Sequence, residues 1–196
     1  MKGQTSEAVG CINCLAGRAS PLTGLDNTVT VGQWRPCAPC AKGRFQSANG
    51  KATCKTCSAG KYGDQIEQAA DTCKDCGKGK YNAAEGASEA AQCTECPAGK
   101  HGTLATATSA GGCTSCSAGT ANPLSGQSDP ASCVNCVAGR HQATTGQAAC
   151  TACVAGQYGD AAAQTALSSC KNCGVGNYNS AAGASEAAQC TKCPVG

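Results

Sequence analysis

Cysteine spacing constrains this chain more than any other feature of its sequence. The 196 residues include 20 cysteines, and all of them fall in ten Cys-x-x-Cys pairs. Successive pairs begin 17 to 26 residues apart, which is the signature of a short tandem repeat. The paired cysteines are Cys11 and Cys14, Cys37 and Cys40, Cys54 and Cys57, Cys73 and Cys76, Cys93 and Cys96, Cys113 and Cys116, Cys133 and Cys136, Cys150 and Cys153, Cys170 and Cys173, and Cys190 and Cys193.

A common motif follows every pair. After two intervening residues comes a glycine, which suits a turn that needs positive φ. A basic residue usually comes next, and then a ring, which is Phe45, Tyr62, Tyr81, His101, His141, Tyr158 or Tyr178. Because the ring recurs at a fixed phase, we expect it to pack on the neighbouring disulfide, which gives His101 and His141 structural roles. The short β-prone segments predict one small hairpin per unit.

The chain has too few large apolar residues for an ordinary core. Leu, Ile, Val and Phe together make 17 of 196 residues, which excludes a doubly wound α/β domain, a helical bundle and a large β-sandwich. The high cysteine content indicates a disulfide or metal scaffold instead. The predicted fold is a small disulfide-rich repeat protein. It is an elongated rod or solenoid of about ten short β-hairpin units, with little regular secondary structure and no conventional core.

A longer period lies above the short one. Residues 73–96 match residues 170–193 at 18 of 24 positions. The predicted divisions are therefore a partial block at 1–36 with a long Trp-containing unit, a five-unit block at 37–132, and a second, truncated block at 133–196. Joining the last residues to the first would leave 13 residues between Cys193 and Cys11, as in two internal loops. Either the chain is cut from a longer array, or copies of it abut head to tail.

Disulfides and zinc compete for the cysteines. Five sites of four thiolates each would use all 20, but the loops are too alike for alternating zinc sites and linkers, so we expect structural disulfides and no metal or other cofactor. Sequence leaves their connectivity open. The second cysteine of one pair joins the first of the next, or two neighbouring pairs cross. The first scheme leaves Cys11 and Cys193 free to pair between chains.

Charge and composition exclude several partners. The net charge of +3 is scattered, which argues against nucleic acid, and the absence of a long apolar run argues against a membrane span. The polar start, Met1–Glu7, lacks the apolar stretch of a signal peptide, as in a cytosolic protein or a mature piece of a secreted one. The segment Thr103–Ser109 suits O-glycans or a plain polar loop. No nucleophile–base arrangement stands out, so an enzyme is not expected.

One segment carries a family resemblance. Cys93-Thr94-Glu95-Cys96-Pro97-Ala98-Gly99-Lys100-His101 resembles the C-x-x-C-P-x-G-x-[YF] core of ephrin-receptor-type cysteine-rich repeats, which relate to tumour-necrosis-factor-receptor modules. Runs of such units with Ala-, Ser- and Thr-rich loops are similar to ciliate immobilisation antigens and other protist surface coats. The resemblance implies an extracellular, disulfide-bonded, non-catalytic protein and transfers no binding residue.

These observations predict a non-enzymatic extracellular structural protein. It would form a surface coat or filament, with self-association head to tail. Two alternatives stay open. A receptor-like binding module would use the long loop Ala16–Pro36, which carries Trp34, the chain's single tryptophan. An intracellular zinc-binding array would use the Cys-x-x-Cys pairs.

Overall fold

The fold is a series of very short β-hairpins. A computed structural model describes residues 14–20 and 37–194. Within these residues, eighteen two-residue strands form nine antiparallel hairpins. The hairpins are β1 (Arg18–Ala19) with β2 (Ala38–Pro39), β3 (Arg44–Phe45) with β4 (Lys55–Thr56), β5 (Lys61–Tyr62) with β6 (Lys74–Asp75), β7 (Lys80–Tyr81) with β8 (Thr94–Glu95), β9 (Lys100–His101) with β10 (Thr114–Ser115), β11 (Thr120–Ala121) with β12 (Val134–Asn135), β13 (Arg140–His141) with β14 (Thr151–Ala152), β15 (Gln157–Tyr158) with β16 (Lys171–Asn172), and β17 (Asn177–Tyr178) with β18 (Thr191–Lys192).

Each hairpin lies between two consecutive Cys-x-x-Cys pairs. Its first strand carries the ring position of one unit, and its second strand is formed by the two residues inside the next pair. In β3 and β4, for example, Arg44 faces Thr56 and Phe45 faces Lys55. The prediction of one small hairpin per unit is confirmed, and the structure adds that the second strand is formed inside the next Cys-x-x-Cys pair. Ten pairs have nine intervals between them, which accounts for the nine hairpins.

The disulfides close these hairpins in sequence order. The second cysteine of one pair joins the first cysteine of the next, which is one of the two connectivities that the sequence left open. Within the described residues, Cys193 is the free cysteine and is exposed, whereas Cys11 lies outside them. The bonds are Cys14–Cys37, Cys40–Cys54, Cys57–Cys73, Cys76–Cys93, Cys96–Cys113, Cys116–Cys133, Cys136–Cys150, Cys153–Cys170 and Cys173–Cys190.

Loop length decides where the helical turns form. Five 3₁₀ helices lie in hairpins whose disulfide spans 17 residues, and each comes directly before the first cysteine of a pair. The two hairpins whose disulfide spans 14 residues have no such helix. A 3₁₀ turn takes three residues, so the longer loops store their extra length as one turn. The helices are Ala90–Gln92, Ala110–Gly112, Pro130–Ser132, Leu167–Ser169 and Ala187–Gln189.

Cystine and alanine form most of the buried interior. Cys57 is 0% exposed, Ala87 is 2% exposed, and Phe45 is the largest buried apolar side chain of the described residues at 9%. Large aliphatic side chains such as Leu104 and Val134 are instead about three-fifths exposed, at 60% and 61%. The predicted disulfide-rich repeat fold without a conventional core is confirmed.

The chain divides into two compact units. One comprises Met1–Lys74 with Ala84–Gln92, and the other Asp75–Ala83 with Cys93–Gly196. The second holds the complete hairpins from β9 to β18. The divisions inferred from internal duplication, at 1–36, 37–132 and 133–196, stay a prediction.

Removing one disulfide from the middle of the second unit should have a large effect on stability. Replacing both Cys96 and Cys113 by Ser opens a loop whose ends are 17 residues apart. The free energy of unfolding should fall by about 3 kcal/mol, because the bond no longer restricts the unfolded chain. Urea unfolding without reductant measures this change. Cys193→Ser removes a cysteine but breaks no bond within the described residues, so it is the matched control and should shift the midpoint far less.

Candidate functional site

The surface through which successive hairpins contact each other is the chain's most repeated feature. The glycine after each pair lies at its centre. The Gly99 N–H donates to the Asn122 carbonyl of the next hairpin at 2.7 Å, and the Cys116 N–H donates to the Gly99 carbonyl at 2.9 Å. In the same way, the N–H groups of Gly43 and Gly139 donate to the carbonyls of Gly63 and Gly159, each at 2.7 Å. The glycine N–H is thus used between hairpins, while its carbonyl extends the strand pairing of its own hairpin.

The same glycine also meets the second hairpin along the chain. Gly99 has φ +81, and a Cβ there would overlap the carbonyl oxygen of Gly146. The Gly146 N–H in turn donates to the Cys116 carbonyl at 2.8 Å. Glycine is therefore required for two reasons, its positive φ and the close backbone approach. A carbonyl oxygen occupies the Cβ position in the same way at Gly17, Gly43, Gly79, Gly119 and Gly139.

Alanine completes the contact beside the rings. Tyr62 forms a parallel bridge with Ala87, and Tyr158 forms one with Ala184. These alanines are 2% and 4% exposed. A larger side chain would not fit where the ring strand of one hairpin meets the loop of the next. This use of alanine was not recognised from the sequence, although Gly-Ala recurs in loops at 86–87 and 183–184.

The two ring-position histidines contact disulfides. His101 Nδ1 lies 3.6 Å from Cys133 Sγ, and His141 Nδ1 lies 3.7 Å from Cys170 Sγ. The rings are 8% and 7% exposed. The expected packing of the ring on the neighbouring disulfide is therefore what the structure has at these two positions.

The last described hairpins present an edge without these partners. Within the described residues, nothing lies within 4 Å of a Cβ placed on Gly176, and neither its N–H nor the Cys173 carbonyl has a backbone partner. Tyr178 has no parallel bridge there and is 45% exposed, and Val175 is 106% exposed. The free Cys193 directly follows β18, the second strand of the last described hairpin. We call Cys173, Val175, Gly176, Tyr178 and Cys193 the C-terminal edge.

Two equivalent ion pairs shift the pKa values of their groups. Asp64 lies 2.7 Å from Lys74 and Asp160 lies 2.6 Å from Lys171, each in a hairpin between two consecutive Cys-x-x-Cys pairs. In each pair the hydrogen bond from the lysine lowers the carboxyl pKa, and the carboxylate raises the lysine pKa. Lys74, Lys171 and Asp160 are exposed and Asp64 is half-buried, so each ion pair stabilises the fold only modestly.

A comparison with protein families identifies part of the array. A family model described as "Tyrosine-protein kinase ephrin type A/B receptor-like" matches residues 29–69. This segment is similar to an ephrin-receptor-like cysteine-rich repeat. It covers about a fifth of the chain and includes the β3–β4 hairpin with its disulfide Cys40–Cys54. The family resemblance read from Cys93–His101 is confirmed, here on a different stretch of the same repeat series.

The family and the disulfides together indicate an extracellular module. Disulfides persist in oxidising compartments, and the matched repeat is a receptor-like module and not a catalytic domain. No curated protein is significantly similar to the chain. No helix within residues 14–20 and 37–194 is long and apolar enough to cross a membrane.

The other candidates predicted from the sequence have different outcomes. Trp34 and most of the long loop Ala16–Pro36 lie outside the described residues, as does Cys11. The zinc array requires free thiolates, whereas every described cysteine except Cys193 is in a disulfide. The O-glycan prediction at Thr103–Ser109 stays a prediction.

Two glycines of the chain, Gly99 and Gly176, allow the cost of the close backbone contact to be separated from the cost of positive φ. Gly99 and Gly176 have φ values of +81 and +79, but only Gly99 faces a neighbouring carbonyl within the described residues. Gly176→Ala should lower the free energy of unfolding by about 1–2 kcal/mol, from backbone strain alone. Gly99→Ala should cost a further ~1–3 kcal/mol from overpacking. Denaturant unfolding of the two variants measures the difference, and equal losses would contradict the contact.

Acid should weaken the protein through the two aspartates. Their folded-state pKa values are lowered from 3.8, so their stabilisation is fully present above that value. It is lost as the pH falls through the lower folded-state pKa. The melting temperature of the wild type should therefore drop over this window. In the double variant Asp64→Asn/Asp160→Asn the drop should be smaller, and an unchanged pH profile would contradict the assignment.

Proposed function

We propose that this chain is an extracellular structural protein whose hairpin array extends by stacking a second copy on the C-terminal edge, to build a filament or surface coat. The observation that carries the proposal is the edge itself. It repeats the backbone groups that earlier hairpins use to bind their neighbours. The family match and the series of disulfides between consecutive Cys-x-x-Cys pairs, which we call the disulfide ladder, support the extracellular setting.

The groups of the edge specify what would bind there. Within the array, the N–H of the glycine after a Cys-x-x-Cys pair donates to the carbonyl of the residue that follows the next ring position, as the Gly99 N–H donates to the Asn122 carbonyl. At the edge, Gly176 offers the same N–H and Cys173 the same carbonyl. The surface that satisfies both is another hairpin of this repeat. Unpaired backbone groups of this kind favour pairing with a further chain.

The hairpin that would complete the edge begins at Cys193 and ends at Cys11 of a second copy, so both copies contribute to its 13-residue loop. The hairpin that starts with Arg18–Ala19 of the second copy would then be the next one in the series. Contact of the edge with these hairpins would continue the internal series without a new kind of interface. Head-to-tail contacts of this sort generate an open filament when the rotation between copies does not close into a ring.

The free cysteine supplies a covalent lock. Each of the nine described hairpins begins with a second cysteine bonded to the first cysteine of the next pair. Cys193 is also a second cysteine, but it has no such partner within the described residues. In a head-to-tail contact, Cys11 of a second copy is the first cysteine that comes next. Its bond to Cys193 would extend the ladder in register.

Sedimentation and non-reducing mass spectrometry test the assembly. Oxidised full-length protein should form concentration-dependent oligomers, and its digest should contain a peptide that joins Cys193 to Cys11. Val175→Asp places a charge on the edge and should dissociate the oligomers. Leu104→Asp changes an equally aliphatic residue, 60% exposed and remote in sequence from the edge, and should leave assembly intact.

The outcomes separate the covalent and non-covalent forms of the proposal. Cys193→Ser should remove the cross-linked peptide while leaving weaker oligomers that Val175→Asp still dissociates. A monomer at every concentration, with or without reductant, would overturn assembly at the edge. A peptide joining two Cys193 residues would show a tail-to-tail dimer and so would overturn the filament.

A further inference from the structure

We propose that His101, Cys116 and Cys133 form a binding site for Zn²⁺ once the Cys116–Cys133 disulfide is reduced, and that His141, Cys153 and Cys170 form a second, equivalent site. The proposal is independent of head-to-tail assembly, because neither site uses the C-terminal edge. It adds a ligand-binding role to two histidines whose ring position alone predicts only packing.

The ligand atoms are already close together. In each cluster, the imidazole nitrogen and both sulfurs lie within 4.8 Å of one another. The Nδ1–Sγ distances are 3.6 Å at His101 and Cys133 and 3.7 Å at His141 and Cys170. A tetrahedral zinc ion with bonds of about 2.3 Å to sulfur and about 2.1 Å to nitrogen places such atoms about 3.6 Å apart. The histidine therefore needs little movement to become a ligand.

Burial holds the ligands in place and distinguishes the two sites. His101 is 8% exposed and Cys116 1% exposed, while Cys133 is partly exposed. In the second cluster all three side chains are buried, with Cys170 7% exposed. A reductant therefore reaches the first disulfide more easily, through Cys133, and we expect the His101 site to form before the His141 site.

The chemistry requires an external dithiol. The dithiol gives two electrons and two protons to the bond between Cys116 Sγ and Cys133 Sγ. That bond breaks, two thiols form, and the dithiol closes to its own disulfide. Zinc then binds both sulfurs and the neutral imidazole, and the two thiol protons pass to solvent. Three protein ligands leave the fourth position of the tetrahedron to water.

Nitrogen and thiolate ligands are the set that zinc prefers. Another disulfide of the chain serves as a comparison site that lacks the imidazole nitrogen. Tyr81 has the ring position in the hairpin before the Cys96–Cys113 disulfide, as His101 has before Cys116–Cys133. Both disulfides span 17 residues. A reduced Cys96–Cys113 pair therefore offers the same two thiols without the imidazole.

Residue-resolved protection tests the site in the full chain. Folded protein is treated with increasing dithiothreitol, desalted without oxygen, incubated with Zn²⁺ and alkylated with iodoacetamide, and the modified cysteines are mapped by mass spectrometry. Zinc should protect Cys116 and Cys133 from alkylation. It should protect Cys96 and Cys113 at least about tenfold less at the same free zinc concentration, because one ligand is missing.

Two variants control for folding. His101→Tyr places at this position the residue found at Tyr81. It should abolish zinc protection of Cys116 and Cys133 while leaving protection at Cys153 and Cys170 unchanged, and His141→Tyr should do the reverse. Cobalt(II) added in place of zinc should give tetrahedral thiolate bands that lose intensity in each variant.

Three results would overturn the proposal. Equal protection of Cys96–Cys113 and Cys116–Cys133 would show that any cysteine pair binds zinc. Unchanged protection in His101→Tyr would remove the histidine from the site. Failure of dithiothreitol to reduce Cys116–Cys133 before the chain unfolds would show that the site does not form in the folded protein.

Discussion

The disulfide between consecutive Cys-x-x-Cys pairs is the interaction on which every other contact depends. Each hairpin has only two residues per strand, and an isolated two-stranded hairpin is marginal in water. Closing a loop of 14 to 17 residues contributes about 3 kcal/mol, which is comparable to burial of a large side chain. The bond also presents the buried cystine and Ala87-type surfaces on which the next hairpin packs. Without it, the chain has too few large apolar residues to order these loops.

Close contact between backbones holds neighbouring hairpins together, and it explains why the chain uses so much glycine and alanine. At Gly99 a carbonyl from the second hairpin along occupies the space of a side chain, and at Ala107, 5% exposed, only a methyl group fits. Hairpins that approach this closely have no room for Leu or Phe between them. The alanines and glycines are thus the residues that close packing of backbones requires, and the aliphatic side chains such as Leu124, 60% exposed, lie outside.

The sequence predicted the parts that depend on local spacing and missed those that depend on distant contacts. The Cys-x-x-Cys period predicted a disulfide-rich repeat, and Gly99 was expected at positive φ, as it is. The connectivity stayed open because every pair has the same spacing pattern. The sequence predicted one hairpin per unit but left open that the second strand, such as Thr114–Ser115, is formed by the two residues inside the next pair. The contact with Gly146 spans 47 residues, which no local motif reports.

The two proposals use opposite properties of the same ladder. The covalent form of assembly at the edge depends on oxidation, because the bond at Cys193 would continue a series of disulfides that already runs through the described hairpins. The histidine sites depend on reduction of a bond inside the series. A zinc ion that binds both Cys116 and Cys133 keeps the ends of that loop together after the covalent bond is gone. The hairpin would then keep its closure, and its contacts with neighbouring hairpins would survive a change in redox conditions that opens the equivalent loop beside Tyr81.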